Sequence, residues 1–516
     1  MVREAVYSLL REFGLTTVFG NPGSTELPMY REFPKDFRYV LGLQESVVVA
    51  MADGFAQARR DAALVNLHSA IGVGHAMGSI FTAYRNQTPL LITAGQQARS
   101  LLTLEPFLFS EQAPQLPRPY VKWSCEPALA AEVPAAIARA YYIAMQSPCG
   151  PTFVSIPVDD WDRPCAPLLP RTVSRRGVGD PQLLAGAEAA LRAARRPVIV
   201  VGASVARDDA WEETIALAEQ HQACVWVSPM SARNSFPEQH PLFAGFLPAD
   251  RGAIVARLAG CDLILVLGAP VFTYHVEGSG PHIPSGARLL QLTDDPGAAA
   301  WCPTGTSIVT NLKLGIAALL GSAPAVPRTA APMPPRAPRL LADSLTDAYL
   351  MQQIAALRPA DSIIVEEAPS SRGAMHDHLP MLERDTFHTC ASGGLGHGLP
   401  AAVGVAMARP TVKVIGLLGD GSAMYSIQGL WTAAEFKLPV AFIIVKNSSY
   451  RALEDFGRHF GIAALPGLRL PHLDFCALAQ SQGVQAIRVE RCQDLDDALR
   501  VVFGARVPML LEVLVK

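Results

Sequence analysis

Residues 412–422 read Val-Lys-Val-Ile-Gly-Leu-Leu-Gly-Asp-Gly-Ser, an apolar run of strand length that ends abruptly in glycine and polar residues. A segment whose apolar residues recur at helical spacing follows at 425–437, and Pro439 ends it. A second apolar run, from Val440 to Val445, leads into Lys446-Asn-Ser-Ser-Tyr450. This order predicts a βαβ unit, whose two strands are parallel and end at one edge of a sheet.

Two polar side chains are expected at this edge, Asp420 after the first strand and Asn447 after the second. A carboxylate and an amide oxygen are hard ligands, and with a backbone carbonyl they leave octahedral positions for phosphate oxygens and water, as Mg²⁺ prefers. Gly419 and Gly421 would let the backbone approach a diphosphate, and the next helix offers its N–H groups. The alternative is that Asp420 only caps that helix. The asparagine after a second strand favours the metal site.

The composition describes a large globular chain. It has 516 residues, of which 50% are hydrophobic and 17% charged, and its net charge of −3 gives no reason to expect a nucleic-acid partner. The nine cysteines stand singly, which favours reduced thiols and a cytoplasmic protein. The N-terminus lacks the apolar core of a signal peptide, and no apolar run approaches the length of a membrane span.

Alternating strands and helices predict three α/β domains, each a doubly wound parallel sheet. The first covers residues 1–170 and the second 178–322. A linker rich in proline and alanine follows at 323–339, and the third domain, 340–516, contains the opening unit. The first and third domains are expected to share one fold, because both place a glycine-bearing turn, a helix and a proline between two strands. No G-x-G-x-x-G follows a strand in the second, which argues against a nucleotide-dependent dehydrogenase.

Several polar residues elsewhere also follow predicted strands. Glu45 begins an apolar helix, where its carboxyl would be harder to ionise, as suits a proton relay. The alternative is a first-turn acid favoured by the helix dipole. Ser24 lies in a turn that also fits a plain loop with a helix cap. His68 ends a strand and His275 lies beyond one, and taken singly each is more often structural than catalytic.

Gly-Asp-Gly followed by one helix, one strand and an asparagine resembles the signature of thiamine-diphosphate enzymes, although Lys446 stands where that family usually has a first asparagine. Further stretches are similar to the benzoylformate decarboxylase family. They are Gly-Asn-Pro-Gly-Ser at 20–24, Leu-Gln-Glu at 43–45, Asn-Leu-His-Ser at 66–69, Thr-Ala-Gly-Gln-Gln at 93–97, Leu-Pro-Arg-Pro at 116–119, Gly-Ala-Pro-Val-Phe at 268–272, Tyr-His at 274–275 and Gly-Gly-Leu-Gly at 393–396. This resemblance covers nearly the whole chain and keeps the three-domain order.

The resemblance implies a role for each matching residue. Glu45 would protonate N1′ of the aminopyrimidine, Ser24 would bind the substrate carboxylate, and His68 and His275 would be the acid/base pair. Mg²⁺ would be held by Asp420, Asn447 and the Ser449 carbonyl. The other implied contacts to thiamine diphosphate are Ser370, the Gly393 carbonyl, Leu395 beneath the bent cofactor, Gly419, Gly421, Ser422, Ala423 and Tyr450. The implied substrate pocket adds Phe107, Leu108, Pro369, Ala452 and Phe456.

Some residues depart from the family pattern. Phe107 and Leu108 stand where the family has an aliphatic pair, and Pro369 replaces a small hydroxylated residue. Glu454 and Asp455 occupy positions where a basic residue and a tryptophan are common. These changes question benzoylformate as the substrate more than they question decarboxylation.

The implied activity is the non-oxidative decarboxylation of a 2-keto acid, with benzoylformate giving benzaldehyde and CO₂ through an enamine on the cofactor, and with aldehyde carboligation as a side activity. Branched-chain, phenylpyruvate and pyruvate decarboxylases and acetohydroxyacid synthase remain alternatives. A non-catalytic binding protein is less favoured because Glu45, Asp420 and Asn447 are all present. In this family each active site lies between the first domain of one subunit and the third domain of another. The resemblance therefore implies at least a homodimer, and we expect a tetramer.

Overall fold

The computed structural model describes residues 1–321, 328, 333–462 and 464–516, so the predicted linker at 323–339 lies partly outside the described residues. The chain forms two compact units. The larger contains residues 1–174, 341–372 and 392–516, and the smaller contains 175–340 and 373–391. No helix in the described ranges is long and apolar enough to cross a bilayer.

The first part of the larger unit is a parallel α/β sheet. Its strands are β1 (Thr17–Gly20), β2 (Arg38–Leu41), β3 (Ala63–Leu67), β4 (Leu90–Gln96), β5 (Ser124–Cys125) and β6 (Thr152–Pro157). Its α-helices are α1 (Val2–Glu12), α2 (Glu45–Arg59), α3 (Ser69–Asn86) and α4 (Val133–Met145). The strand order is β2-β1-β3-β4-β6-β5, and every pair is parallel.

The smaller unit contains a second parallel sheet. Its strands are β7 (Pro197–Val201), β8 (Cys224–Val227), β9 (Phe243–Phe246), β10 (Leu263–Leu267), β11 (Arg288–Thr293) and β12 (Thr306–Val309), in the order β12-β11-β10-β7-β8-β9. Its helices are α5 (Pro181–Ala193), α6 (Ala203–Arg207), α7 (Trp211–His221), α8 (Arg251–Arg257), α9 (Pro296–Ala300) and α10 (Leu312–Leu319). This is the doubly wound order seen in dinucleotide-binding sheets, without their glycine fingerprint.

The remaining elements belong to the C-terminal part of the chain. They are α11 (Asp347–Leu357), β13 (Ile363–Glu367), α12 (Arg372–His378), β14 (Phe387–Thr389), α13 (Gly398–Ala408), β15 (Val414–Gly419), α14 (Asp420–Met424), α15 (Gly429–Glu435), β16 (Val440–Lys446), α16 (Arg451–His459), α17 (Phe475–Ser481), β17 (Gln485–Val489), α18 (Cys492–Gly504) and β18 (Met509–Leu514). Residues 373–391, which include β14, group with the smaller unit.

The five strands of this part that lie in the larger unit run in the order β13-β15-β16-β18-β17. The corresponding strands of the first sheet run β1-β3-β4-β6-β5, which is the same order. The expectation that the first and third α/β regions share one fold is therefore confirmed, and so is the prediction of doubly wound parallel sheets.

Helices α2 and α13 join the two sheets of the larger unit by packing directly against each other. A β-carbon added to Gly54 would lie 2.2 Å from the Ala401 carbonyl oxygen, and one added to Gly404 would lie 1.9 Å from that of Met51. Only glycine permits so close a crossing, because any larger side chain would overlap the facing backbone. The contact brings the helix that begins at Glu45 against the helix that follows the Gly-Gly-Leu-Gly turn.

The βαβ unit around residue 420 is confirmed. Strands β15 and β16 pair in parallel with Gly419 opposite Val445, so Asp420 and Asn447 both follow the carboxyl ends of adjacent strands. The helix predicted at 425–437 is shorter than expected, since only α15 (Gly429–Glu435) lies in that segment, and a separate short helix, α14 (Asp420–Met424), precedes it. At Gly429 a β-carbon would lie 2.7 Å from Leu399 Cδ2, so α15 packs closely against α13 at this glycine.

Candidate active site

The two predicted metal ligands lie in one small cluster. Asp420 is buried, and its two carboxylate oxygens accept hydrogen bonds from the backbone N–H groups of Gly421 at 2.8 Å and Ser448 at 2.6 Å. Burial raises the pKa of Asp420, and these backbone N–H groups oppose the rise. The carboxylate is therefore fixed in direction by the loop that contains Asn447.

The loop at 447–450 is itself held rigidly. The Asn447 side-chain oxygen accepts from the Ser449 N–H at 2.9 Å, and the Tyr450 N–H donates to the Leu468 carbonyl at 2.9 Å. A β-carbon on Gly421 would lie 2.4 Å from the Tyr450 ring, so the glycine permits the ring to cover the Gly-Asp-Gly turn. Asp420 and Asn447 thus present a carboxylate and an amide oxygen at one sheet edge, a donor set that fits Mg²⁺.

Four other predicted residues lie around the start of α16. The Ala452 N–H donates to Ser370 Oγ at 3.1 Å, which ties α16 to the short 3₁₀ helix Pro369–Ser371. Phe456 is half-buried on the same helix. The structure therefore brings Pro369, Ser370 and Ala452 together. Of the two unexpected acids, Asp455 is exposed and paired with Arg458, and Glu454 is half-buried.

The turn containing Gly393 and Leu395 is supported by Glu367, a residue that the sequence pattern does not single out. Its carboxylate is buried at the end of β13 and accepts from the Gly396 N–H at 2.6 Å and from the Gly398 N–H. Burial raises the pKa of Glu367 to about 7, against the effect of these two N–H groups. The only sequence signal was an acid at the end of an apolar strand.

Glu45 is the first residue of α2, as predicted, but it does not cap the helix. The Gln44 side chain performs that role by accepting from the N–H groups of Ser46 at 2.7 Å and Val47 at 3.2 Å. Glu45 is buried, and its Oε2 lies 3.1 Å from Nδ1 of His75. Glu45 also lies in the first turn of α2, as the helix-dipole alternative expects, and its carboxylate contacts His75 of α3.

His68 is held by a second buried acid, Glu26. Nδ1 of His68 lies 2.8 Å from Glu26 Oε2 and 3.2 Å from Thr25 Oγ1. Glu26 is 1% exposed and also accepts from the backbone N–H groups of Gly23 and Gly95, each at 2.9 Å. Nothing in the sequence spacing places Glu26 beside His68, so this partner is found only in the folded structure.

The Ser24 turn lies against the His68 ring. A β-carbon on Gly23 would lie 2.0 Å from His68 Nδ1, so only glycine fits there, and the exposed Ser24 follows it directly. Gly72 of α3 connects this group to Glu45, because its β-carbon would lie 3.5 Å from both Glu45 Cγ and His68 Cβ. The structure therefore brings together Ser24, His68 and Glu45 around the beginning of α3.

The loop with Phe107 and Leu108 is fixed next to this group. The Leu108 carbonyl accepts from Ser69 Oγ at 3.1 Å, and the Phe107 carbonyl accepts from the Gln97 side chain at 2.6 Å. The Phe107 ring is 87% exposed. His275 belongs to the smaller unit, where its side chain is exposed and its N–H donates to the Ala249 carbonyl at 2.9 Å.

Comparison with known proteins identifies the family of the chain. Three thiamine pyrophosphate enzyme models match: the N-terminal TPP binding domain at residues 1–115, the central domain at 184–319 and the C-terminal TPP binding domain at 369–513. A benzoylformate decarboxylase of Pseudomonas aeruginosa is 45% identical over 99% of this chain and 98% of its own length.

Solved structures of related decarboxylases have the same fold as this chain. The benzoylformate decarboxylase of Polynucleobacter necessarius superposes with a TM-score of 0.97 at 39% identity, covering 100% of this chain and 98% of the other. A thiamine diphosphate-dependent 4-hydroxybenzoylformate decarboxylase of Rhodococcus jostii RHA1 superposes with a TM-score of 0.97 at 41% identity, covering 100% and 99%. The resemblance read from the motifs is confirmed, and the chain belongs to the thiamine pyrophosphate enzyme family.

Proposed function

We propose that this protein is a thiamine-diphosphate- and Mg²⁺-dependent decarboxylase that converts an aromatic 2-keto acid, benzoylformate in the first instance, into an aldehyde and CO₂. One observation supports this reaction above all: the ring of His68 is held through Nδ1 by the buried Glu26, beside the Ser24 turn. The arrangement leaves Nε2 of His68 without a hydrogen bond among the described residues, and this atom can exchange a proton with a bound substrate.

The cofactor fits the donor set that the chain provides. Asp420, Asn447 and the Ser449 carbonyl would hold Mg²⁺, while Gly419, Gly421, Ser422, Ala423 and Tyr450 would surround the diphosphate. Ser370, Gly393 and Leu395 would contact the remainder of the cofactor. Thiamine diphosphate, when bound, supplies a nucleophilic carbon and accepts the electrons released on loss of CO₂.

The chain's own residues supply orientation and proton transfer. Ser24 binds the substrate carboxylate, and its position beside His68 puts the reacting carbon within reach of that ring. Glu45 exchanges a proton with the aminopyrimidine nitrogen. His275 is the second acid/base group, and Phe107, Leu108, Pro369, Ala452 and Phe456 line the substrate pocket. Excluding water from this pocket protects the reactive carbon.

The same proposal includes the assembly and the compartment. We propose a homodimer at minimum and a tetramer in solution, with each active site shared between subunits. Exposed apolar side chains next to the site, Leu43, Ile71 and Phe107, support a partner surface there. None of the nine cysteines, all of which lie in the described ranges, forms a disulfide bond, which supports a reducing, cytoplasmic location. Light scattering that shows an active monomer would contradict the shared site.

The test is to measure CO₂ and aldehyde release by the purified protein with thiamine diphosphate and Mg²⁺. Benzoylformate, phenylpyruvate, pyruvate and a branched-chain keto acid are offered in parallel. Benzaldehyde formed from benzoylformate faster than any other product is the expected result. Faster release of aldehyde and CO₂ from another of these acids would support decarboxylation but would identify that acid as the preferred substrate. Acetolactate from pyruvate, with no aldehyde released from any acid, would overturn the proposal in favour of a carboligase.

A further inference from the structure

A histidine that the proposed mechanism does not use lies against the proposed catalytic acid. Nδ1 of His75 is 3.1 Å from Oε2 of Glu45, and this is the one side-chain hydrogen bond that the carboxylate makes among the described residues. The Glu45 side chain is 12% exposed and that of His75 is 53% exposed. His75 therefore stands on the solvent side of a buried carboxylate.

The packing of α3 against the start of α2 places His75 and Glu45 side by side. His75 and Gly72 are three residues apart on α3 and so lie on one face of that helix. A β-carbon on Gly72 would lie 3.5 Å from Oε1 of Glu45. Oε2 faces the histidine, while Oε1 lies beside Gly72, which has no side chain. The two carboxylate oxygens are thus distinguished by their surroundings.

We propose that His75 is a positioning residue for Glu45. By donating from Nδ1 to Oε2, it fixes the rotation of the carboxyl group and leaves Oε1 as the atom that exchanges a proton with the aminopyrimidine. The inference rests on the proposed role of Glu45. It adds His75 as the residue that fixes the orientation of the Glu45 carboxyl group. Catalytic side chains are expected to be held in this way by hydrogen bonds from their neighbours.

The competing explanation is an ordinary half-exposed ion pair. Such pairs contribute little, and their loss is not felt at a neighbouring reaction. The two explanations differ in what the His75→Ala variant does when Glu45 is present and when it is absent.

The decisive experiment uses four variants of the full-length protein: His75→Ala, His75→Gln, Glu45→Gln and the double variant His75→Ala/Glu45→Gln. The first readout is the hydrogen–deuterium exchange rate at C2 of the bound cofactor, without substrate. We expect His75→Ala to slow exchange about tenfold, the effect of one hydrogen bond to a charged group, and His75→Gln to restore most of it. In the Glu45→Gln background, His75→Ala should cause no further loss. The cofactor dissociation constant should change little.

A second readout needs no cofactor. In ¹⁵N-histidine spectra of the apoprotein, the His75 ring should carry its proton on Nδ1, and Glu45→Ala should move the proton toward Nε2. Arg85→Ala, an exposed change on the same helix, is the control and should alter neither readout.

Each outcome separates the two proposals. Unchanged exchange in Glu45→Gln would overturn the proposed role of Glu45 itself. Lost exchange in Glu45→Gln, with normal exchange in His75→Ala, would overturn only the positioning role of His75. Equal losses on removing His75 with and without Glu45 would also contradict positioning, because the effect would not pass through Glu45.

Discussion

Nε2 of His397 lies 2.9 Å from a carboxylate oxygen of Asp53, and both side chains are buried. Asp53 is on α2 and His397 immediately precedes α13, so the pair joins the two sheets of the larger unit. Asp53 also accepts hydrogen bonds from Asn86 at 2.8 Å and Thr88 at 2.5 Å. This polar centre connects the helix of Glu45 with the turn of Gly393 and Leu395.

Replacing His397 with leucine should destabilise the protein by about 3 kcal/mol, because a buried carboxylate loses its counter-ion. Adding Asp53→Asn to His397→Leu should recover part of the loss, since the asparagine needs no counter-ion. Urea unfolding of the wild type and the two variants measures the difference. A double variant less stable than His397→Leu alone would show that the charge is not the cause.

The pair should also make stability depend on pH. Burial lowers the pKa of His397, but Asp53 more than compensates, so its folded pKa is above the usual 6.5. The stabilisation is therefore fully present below 6.5 and is lost as pH rises through the folded value. Burial raises the pKa of Asp53, but His397 brings it below the usual 3.8, so this contribution is fully present above 3.8 and is lost as pH falls from there through the lowered folded value. The advantage of the wild type over His397→Leu should be greater at pH 6 than at pH 9, as measured by unfolding at both.

The fold could be predicted where strands are continuous apolar runs. Strands β1, β3, β10 and β16 are fully or almost fully buried, and each stands out in the sequence. Strands β5, β9 and β12 lie at sheet edges and do not stand out in this way. Edge strands of this kind are short or partly exposed, so they lack the hydrophobic signal on which the prediction depends.

The site was predictable only in part, for a similar physical reason. Asp420, Asn447 and Glu45 follow strands or begin helices, so their place in the chain indicates their place in the fold. The residues that hold such side chains in place are instead distant from their partners in the sequence. Glu26 is 42 residues from His68, and Asp53 is 344 residues from His397. No spacing rule links positions so far apart, and only the folded structure shows these pairs.

Replacing Glu26 with glutamine should reduce kcat by about a hundredfold, the scale of losing an oriented acid/base group. Both oxygens of Glu26 accept backbone N–H groups, so the amide must turn its NH₂ toward one of them, which should also cost about 1–3 kcal/mol of stability. Steady-state kinetics at a temperature where circular dichroism shows the variant folded separates the two effects.

The control for this prediction is the same change made in a His68→Ala background. There Glu26→Gln should lower stability but should have little further effect on kcat, because the ring that Glu26 orients is absent. A hundredfold loss in both backgrounds would assign Glu26 a general structural role.

Replacing Asp420 with alanine should abolish the Mg²⁺-dependent retention of thiamine diphosphate. The change removes the only carboxylate among the proposed metal ligands, and a hard dication binds poorly without one. Retention is measured by gel filtration followed by cofactor assay, with Mg²⁺ and after chelation. Asp497→Ala, whose carboxylate is exposed on α18, is the matched control and should retain cofactor normally. Equal retention in the two variants would remove Asp420 from the metal site.

Replacing Phe107 with alanine should change substrate preference while leaving stability within about 0.5 kcal/mol, because the ring is 87% exposed and the loop is held by its backbone. We expect the ratio of kcat/KM for phenylpyruvate to that for benzoylformate to rise about tenfold, since a smaller side chain leaves room for the longer acid. Leu104→Ala, a neighbouring exposed apolar residue at 73% exposure, is the control and should leave the ratio unchanged. A ratio that moves equally in both variants would indicate a general effect of the loop and would exclude Phe107 as a specific pocket residue.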